Sequence, residues 1–254
     1  MKFVLSAILI LAACYATAAA YLYVKQRSFI FFPSHAVEHE HTIEIFELDG
    51  NSIHVVVLNP GQSESLLYFG GNAENVVFNA PEFLEMFPDL TLYLVNYRGY
   101  AGSSGIPTER GLYDDADAIY RSVAARHTHV AVMGKSLGSG VATYIASHHP
   151  VKKLVLVTPY DSIANIAADL YPIFPVRFLL KDRFDSVNRV NSINAQTLIM
   201  LAEYDETIPS ANSAQLIAAF PESQVSVTTI LGANHNSLSD DLHYRATLAK
   251  FLAP

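Results

Sequence analysis

Apolar runs punctuate the chain at regular intervals. Runs rich in β-branched and aromatic residues occur at 42–48, 53–58, 65–69, 91–96, 129–133, 153–158, 197–202 and 225–230. The first two alternate apolar and polar positions, and Asp49-Gly50-Asn51 between them is a hairpin signal. The later runs are nearly unbroken in apolar residues, the pattern of strands covered on both faces. Between the runs the spacing changes to a helical period, over 74–87, 108–126, 137–147, 210–220 and 238–252. In 108–126, Thr108 is placed to cap the helix, and Leu112, Ala116, Ile119 and Val123 share one face. A hairpin followed by repeated β–α units predicts an α/β sheet with helices on both faces. The interval 159–191 breaks the rhythm, with Pro159, Pro172 and Pro175 set among aromatic residues. It reads either as an ordinary crossover helix or as a small cap in which Tyr160, Phe174 and Phe178 line an apolar slot for substrate.

The start of the chain follows neither period. Phe3 to Val24 runs without a charge, preceded by Lys2 and followed by Lys25 and Arg27. About 20 apolar residues suffice to cross a hydrocarbon core. Three readings follow for residues 1–27: an uncleaved signal anchor with Tyr21 and Tyr23 at an interface, a lipoprotein signal, or an ordinary cleaved signal near Ala16-Thr17-Ala18. Leu11-Ala12-Ala13-Cys14 resembles a bacterial lipobox, in which the cysteine is lipidated. The Lys and Arg counts on the two sides do not decide an orientation. One domain is then expected over 28–254, membrane-anchored through residues 3–24 or through lipid at Cys14.

Composition narrows the function classes. The chain has 254 residues, 16% of them charged, and a formal net charge of −8. Sixteen Lys and Arg against 24 Asp and Glu leave no basic surplus, so nucleic acid is not an expected partner. Cys14 is the only cysteine, which excludes an internal disulfide framework and a Cys-rich zinc site. No cofactor or metal is expected, and nothing in the sequence fixes an oligomeric state.

The sharpest motif is Gly134-Lys135-Ser136-Leu137-Gly138, immediately after one apolar run and at the start of a helical one. A serine between two glycines at a strand-to-helix junction sits on a tight turn that lifts its hydroxyl above the sheet. The same Gly-Lys-Ser could close a phosphate-binding loop, but that motif needs a glycine where His129 stands. A serine hydroxyl needs a base, and the base needs an orienting acid. His235 follows the last strand run, at the edge where open α/β sheets place their sites. His148 and His149 end the helix that starts at the serine, and His243 falls inside the final helix. Asp205, just after the preceding strand run, is the expected acid; Glu203, Glu206, Asp161 and Asp185 are the other candidates. The expected oxyanion donors are the backbone N–H groups of Leu137 and of Asn72, with Ala73 second, in the loop Phe69-Gly70-Gly71-Asn72-Ala73-Glu74.

These residues resemble the α/β-hydrolase superfamily, and more narrowly the Bem46-like serine hydrolases, the α/β-hydrolase-domain 17 and 13 type. The resemblance also rests on Gln26 to Pro33, on Asn96-Tyr97-Arg98-Gly99-Tyr100 through Gly105, and on Gly111 to Ala116. Arg183-Phe184-Asp185-Ser186, Asp205 to Pro209 and Asn234-His235-Asn236 complete it. It implies an eight-stranded, mostly parallel sheet whose second strand is antiparallel, and an N-terminal membrane segment. It also implies the Ser136, Asp205 and His235 roles, but it does not fix a substrate: some relatives remove acyl groups from proteins and others are simple esterases. The expected activity is hydrolysis of an ester or thioester, acylated or lipidic substrates included. An amide hydrolase or peptidase, and a membrane-tethered scaffold without catalysis, are the alternatives. Two positions depart from the pattern. Gly70 stands where the family usually has a histidine bracing the oxyanion loop, which predicts a looser loop. Ala202 or Glu203 replaces the glycine expected before the acid loop. Tyr97 and Arg98 are expected to be structural, with Arg98 binding loop carbonyls.

Overall fold

The hairpin predicted around Asp49-Gly50 is where the chain enters its sheet. In the computed structural model, which describes residues 1–253, β1 (Thr42–Leu48) and β2 (Asn51–Leu58) pair antiparallel, with Ile45 opposite His54. The other strands are β3 (Glu64–Phe69), β4 (Leu90–Val95), β5 (His129–Lys135), β6 (Lys153–Val157), β7 (Gln196–Tyr204) and β8 (Val225–Asn234). The sheet is eight-stranded in the order β1-β2-β4-β3-β5-β6-β7-β8. From β4 and β3 onward all neighbours are parallel, so their C-terminal ends form one edge.

Burial follows the hydrophobic pattern. β4 is buried at every position, as its unbroken apolar run requires, whereas β1 alternates between exposed and half-buried residues. β8 departs from the expectation of two covered faces. It is the last strand of the sheet, and most of its residues keep some exposure. Helices α3 (Glu109–Ala124), α4 (Leu137–His148) and α7 (Ser210–Ala219) cover one face, through Leu112, Ile119, Val141, Ile145 and Leu216. Helices α2 (Ala80–Met86) and α8 (Leu242–Leu252) cover the other, through Phe83, Tyr244 and Leu248. Thr108 caps α3 as predicted, its hydroxyl accepting from the Gly111 N–H at 2.9 Å. The single helix expected over 74–87 is instead a 3₁₀ turn at Val76–Asn79 followed by α2. Pro81 explains the break, because a proline has no N–H to bond back into a preceding turn.

Two regions lie outside the sheet-and-helix sandwich. Helix α1 (Lys2–Ile30) is 29 residues long, with a mean hydropathy of 2.2 over its most apolar window and none of that window buried. It continues past residue 27, and its last turn is bonded to the body. Arg27 pairs with Asp182 at 2.7 Å, and the Gln26 side chain accepts from the Lys181 N–H at 2.7 Å. The interval 159–191, read from the sequence as a crossover or a cap and here called the cap, holds α5 (Ile163–Leu170) and α6 (Val176–Leu179), followed by a 3₁₀ turn.

Candidate active site

Ser136 is the hinge between β5 and α4. Its φ of +49° and ψ of −117° lie in a region that side-chain-bearing residues rarely adopt, and such strain clusters at functional sites. The flanking glycines make the turn possible: a Cβ on Gly134 would overlap the Gly138 carbonyl, and one on Gly138 would overlap the Phe69 carbonyl. The Ser136 N–H donates to the Val157 carbonyl at 2.9 Å, which ties the turn to the end of β6.

Asp205 and His235 follow β7 and β8 at the same sheet edge. Asp205 Oδ1 accepts from the N–H groups of Thr207 (2.9 Å) and Ile208 (2.8 Å), a local turn that orients the carboxylate. His235 sits in a turn held by Asn234 Oδ1, which accepts from the N–H groups of Asn236 and Ser237. The β7–β8 register shifts between Ala202 and Tyr204, at Glu203. A bulge there re-aims the segment that carries the acid.

The three side chains meet. His235 Nε2 lies 3.0 Å from Ser136 Oγ, and His235 Nδ1 lies 2.9 Å from both carboxylate oxygens of Asp205. Ser136 and His235 are buried, with 9% and 6% of their surface exposed. Burial alone would raise the Asp205 carboxyl. The hydrogen bond and charge of His235 and the two backbone N–H groups outweigh it, and hold the group below its ordinary value of 3.8. Of the other candidate acids, Glu206 is exposed to solvent and three are engaged elsewhere. Asp161 accepts from Asn165 and Asn212, Asp185 from Asn188, and Glu203 from the Gly232 N–H. His149 pairs with Asp117 at 2.6 Å, at the end of α4.

Beside the serine lies the loop after β3. A Cβ on Gly71 would stand 3.7 Å from Ser136 Cβ. The Gly71 N–H donates to Glu74 Oε2 at 2.7 Å, and the Ala73 N–H points to Asn72 Oδ1 at 3.1 Å. Among the described residues the Asn72 N–H has no acceptor. The Leu137 N–H opens α4, where the first N–H groups have no partner within the helix.

Glu74 is the site residue that sequence reasoning missed. Besides Gly71, it accepts from the Tyr68 hydroxyl (2.7 Å) and Asn79 Nδ2 (2.6 Å), with Lys135 Nζ at 3.9 Å. A Cβ on Gly70 would meet Val76 Cγ1 at 2.7 Å and Glu74 Oε1 at 3.3 Å. The glycine therefore leaves the space that Glu74 fills. Tyr97 adds a second tie, its hydroxyl donating to the Gly70 carbonyl at 2.7 Å. The loop expected to be loose for want of a histidine is bound from both sides. The Asn72 side chain does further work. Its Nδ2 donates to the Ile30 carbonyl at 2.7 Å, and its Oδ1 accepts from the Phe32 N–H and the Tyr100 hydroxyl, both at 2.9 Å. The loop is thus fastened to the end of α1.

Two expectations are corrected. Arg98 does not bind loop carbonyls. It forms a two-point pair with Asp115 on α3, at 2.8 and 2.7 Å. Burial raises the Asp115 carboxyl and the guanidinium opposes it, so an arginine was needed where a free carboxylate would have been costly. Of the three aromatic residues expected in the cap slot, only Phe174 lines an apolar groove. Tyr160 is a core residue, 1% exposed, its hydroxyl donating to the Leu137 carbonyl at 3.1 Å. Phe178 faces outward, 90% exposed, because α6 is a single turn that buries none of its residues.

Solved structures that share this fold include an esterase from Pyrococcus furiosus. It superposes with a TM-score of 0.68 at 13% identity, over 87% of this chain and 95% of the esterase. The chain has the α/β-hydrolase fold. An uncharacterized protein of Mycobacterium tuberculosis is 33% identical over 181 residues, which is 69% of this chain and 64% of that protein. The α/β-hydrolase domain-containing protein 17B of Xenopus laevis is 25% identical over 202 residues, 76% of this chain and 68% of that protein. The chain therefore spans just under two thirds of the mycobacterial relative. No protein-family model matches it.

Proposed function

We propose that the protein is a membrane-tethered serine hydrolase acting on carboxylic esters or thioesters. The observation that carries this reading is the chain of contacts from Asp205 through His235 to Ser136, at 2.9 and 3.0 Å. His235 Nε2 takes the proton of Ser136 Oγ as the oxygen attacks the carbonyl carbon. The carbonyl π electrons move onto oxygen, and the N–H groups of Leu137 and Asn72 receive that oxyanion. Collapse of the tetrahedral adduct breaks the bond to the leaving oxygen or sulfur, which takes the proton from His235. Water, deprotonated by His235, then attacks the acyl-enzyme and releases the acid. Asp205 stays ionised throughout and stabilises the imidazolium. The P. furiosus esterase supports an ester as the substrate class.

A fluorophosphonate probe is expected to label Ser136. Ser136→Ala is expected to abolish labelling and to lower kcat by about 10⁶-fold, the loss seen when a triad nucleophile is removed. Unchanged p-nitrophenyl ester hydrolysis in that variant would end the reading. A membrane position for α1 is supported by its hydropathy of 2.2 and its length of 29 residues. Carbonate-resistant membrane recovery of the intact chain tests it. A mature product beginning at a lipid-bearing Cys14 would replace the anchor by a lipid.

A further inference from the structure

An apolar groove lies outside the sheet. It lies between α1 and the cap, a cavity of about 190 Å³. Ala19, Leu22 and Ile30 form one wall, and Ile163, Ala167 and Leu179 the other. No charged side chain lines it. Its one amide, Gln26, is spent on the carbonyls of Tyr23 and Leu179 and on the Lys181 N–H. Apart from that amide and the phenols of Tyr23 and Tyr171 the lining is apolar, which suits a hydrocarbon chain better than a polar ligand.

Ser136 does not itself line the groove, but each wall is tied, by a hydrogen bond or by a short stretch of chain, to an element that flanks the serine. The α1 wall ends at Ile30, whose carbonyl accepts from Asn72 in the loop beside Ser136. The cap wall begins at Ile163, shortly after Val157, whose carbonyl accepts the Ser136 N–H.

The groove also has access to lipid. Tyr15 stacks on Phe174 at 5.0 Å, and its hydroxyl donates to the Ile173 carbonyl at 2.9 Å. The cap thus reaches halfway along α1. The uncharged run N-terminal to that contact, residues 3–14, is bounded by Lys2 and spans about 18 Å of helix at 1.5 Å per residue, short of a hydrocarbon core of about 30 Å. If α1 crosses a bilayer as it stands, the cap enters the lipid with it. Leu170, Ile173 and Phe178, exposed by 66, 72 and 90%, are the side chains that would meet the lipid.

We propose that this groove receives the acyl chain of the ester that Ser136 cleaves, with the N-terminal helix serving as a wall of the substrate site as well as a tether. The proposal rests on the ester-hydrolase reading above. Its specificity determinants are Ala19 and Ala167, small residues on opposite walls whose enlargement fills the groove.

The test uses the full chain in phospholipid nanodiscs, with p-nitrophenyl acetate, butyrate, octanoate and decanoate. In the wild type, kcat/KM is expected to rise with chain length, by up to roughly fourfold per buried methylene. In Ala167→Trp and in Ala19→Trp, the octanoate-to-acetate ratio of kcat/KM is expected to fall about tenfold or more. The ratio is indifferent to a partial loss of folded enzyme. A wild type with no rise along the series overturns the proposal, as does a ratio unchanged in both variants, the result expected if a resting membrane lipid occupies the groove. Absence of hydrolysis at every length, together with no fluorophosphonate labelling, removes the hydrolase reading and the groove assignment with it. Short-ester hydrolysis with labelling but no length dependence removes the groove alone.

Discussion

The rim that carries Ser136 and the α1–cap layer above it are built on opposite terms. At the rim, each polar side chain is held by a turn made of its immediate neighbours. Asp205 is set by Thr207 and Ile208, His235 by Asn234, and Ser136 by its two glycines. The strand register then brings together residues 99 and 30 positions apart in the chain. The layer above exposes apolar surface, with Phe178 and Ile173 left bare and the most apolar window of α1 unburied. The rim is complete within the protein. The α1–cap layer leaves apolar surface exposed that the proposed membrane position would cover.

The comparison predicts where substitutions hurt. Asp205→Asn keeps the shape of the rim but removes the charge that fixes the His235 tautomer. Its kcat is expected to fall about 10⁴-fold, with the thermal midpoint little changed. A loss below tenfold would show that the carboxylate is not the orienting group. Glu74→Ala comes next. It strands the Tyr68 hydroxyl and the Gly71 N–H, and frees the loop that presents Asn72. The expected loss is about 10²-fold in kcat with KM nearly constant, the size seen when one oxyanion donor is lost. Glu74→Gln retains one acceptor oxygen and should recover part of the rate. An equal loss in both variants, or a rise in KM alone, would remove Glu74 from its bracing role.

The charge of Asp205 also leaves a mark on stability. Its carboxyl is held below 3.8 in the folded protein. A group depressed on folding contributes in full above its unfolded value, near 3.9, and the contribution fades as pH falls through the folded value. The thermal midpoint of the wild type should therefore drop more steeply below about pH 4 than that of Asp205→Asn. Parallel acid limbs in the two proteins would contradict the depressed value.

The same contrast explains what could be read from the residues. Strand runs, the Gly-Lys-Ser-Leu-Gly turn and the Asp205 and His235 loops are local patterns, so their places in the sheet followed from spacing and turn chemistry. Partners across loops did not. Nothing near Arg98 announces Asp115, and nothing in Gly70-Gly71-Asn72 announces that Glu74 folds back to fill the space beside a glycine. Tyr160 and Phe178 looked alike in an aromatic-rich segment, but one lies under α4 and the other on a one-turn helix facing out. That difference is set by tertiary packing, which no period in the sequence encodes. The last turn of α1 misled for a related reason: a charge such as Arg27 marks the end of an apolar run, and here it also marks a contact with Asp182.

Phe178→Ser is the smallest and most diagnostic change. At 90% exposure the ring contributes almost nothing to the packed interior, so the variant in detergent should match the wild type within about 0.5 kcal/mol. An interfacial phenylalanine behaves differently once lipid is present, because burying its ring is worth roughly 1.5–3 kcal/mol. With α1 intact, that energy does not decide whether the protein is bound, only how deeply the cap sits. The measurement is therefore quenching of a fluorophore attached near residue 178 by lipids brominated at different depths. If the cap enters the bilayer beside Tyr15, quenching in the wild type should peak in the acyl region and move toward the headgroups in the serine variant. Identical profiles, or a wild-type probe quenched only from water, would place the cap clear of the membrane and require α1 to swing away from it on insertion.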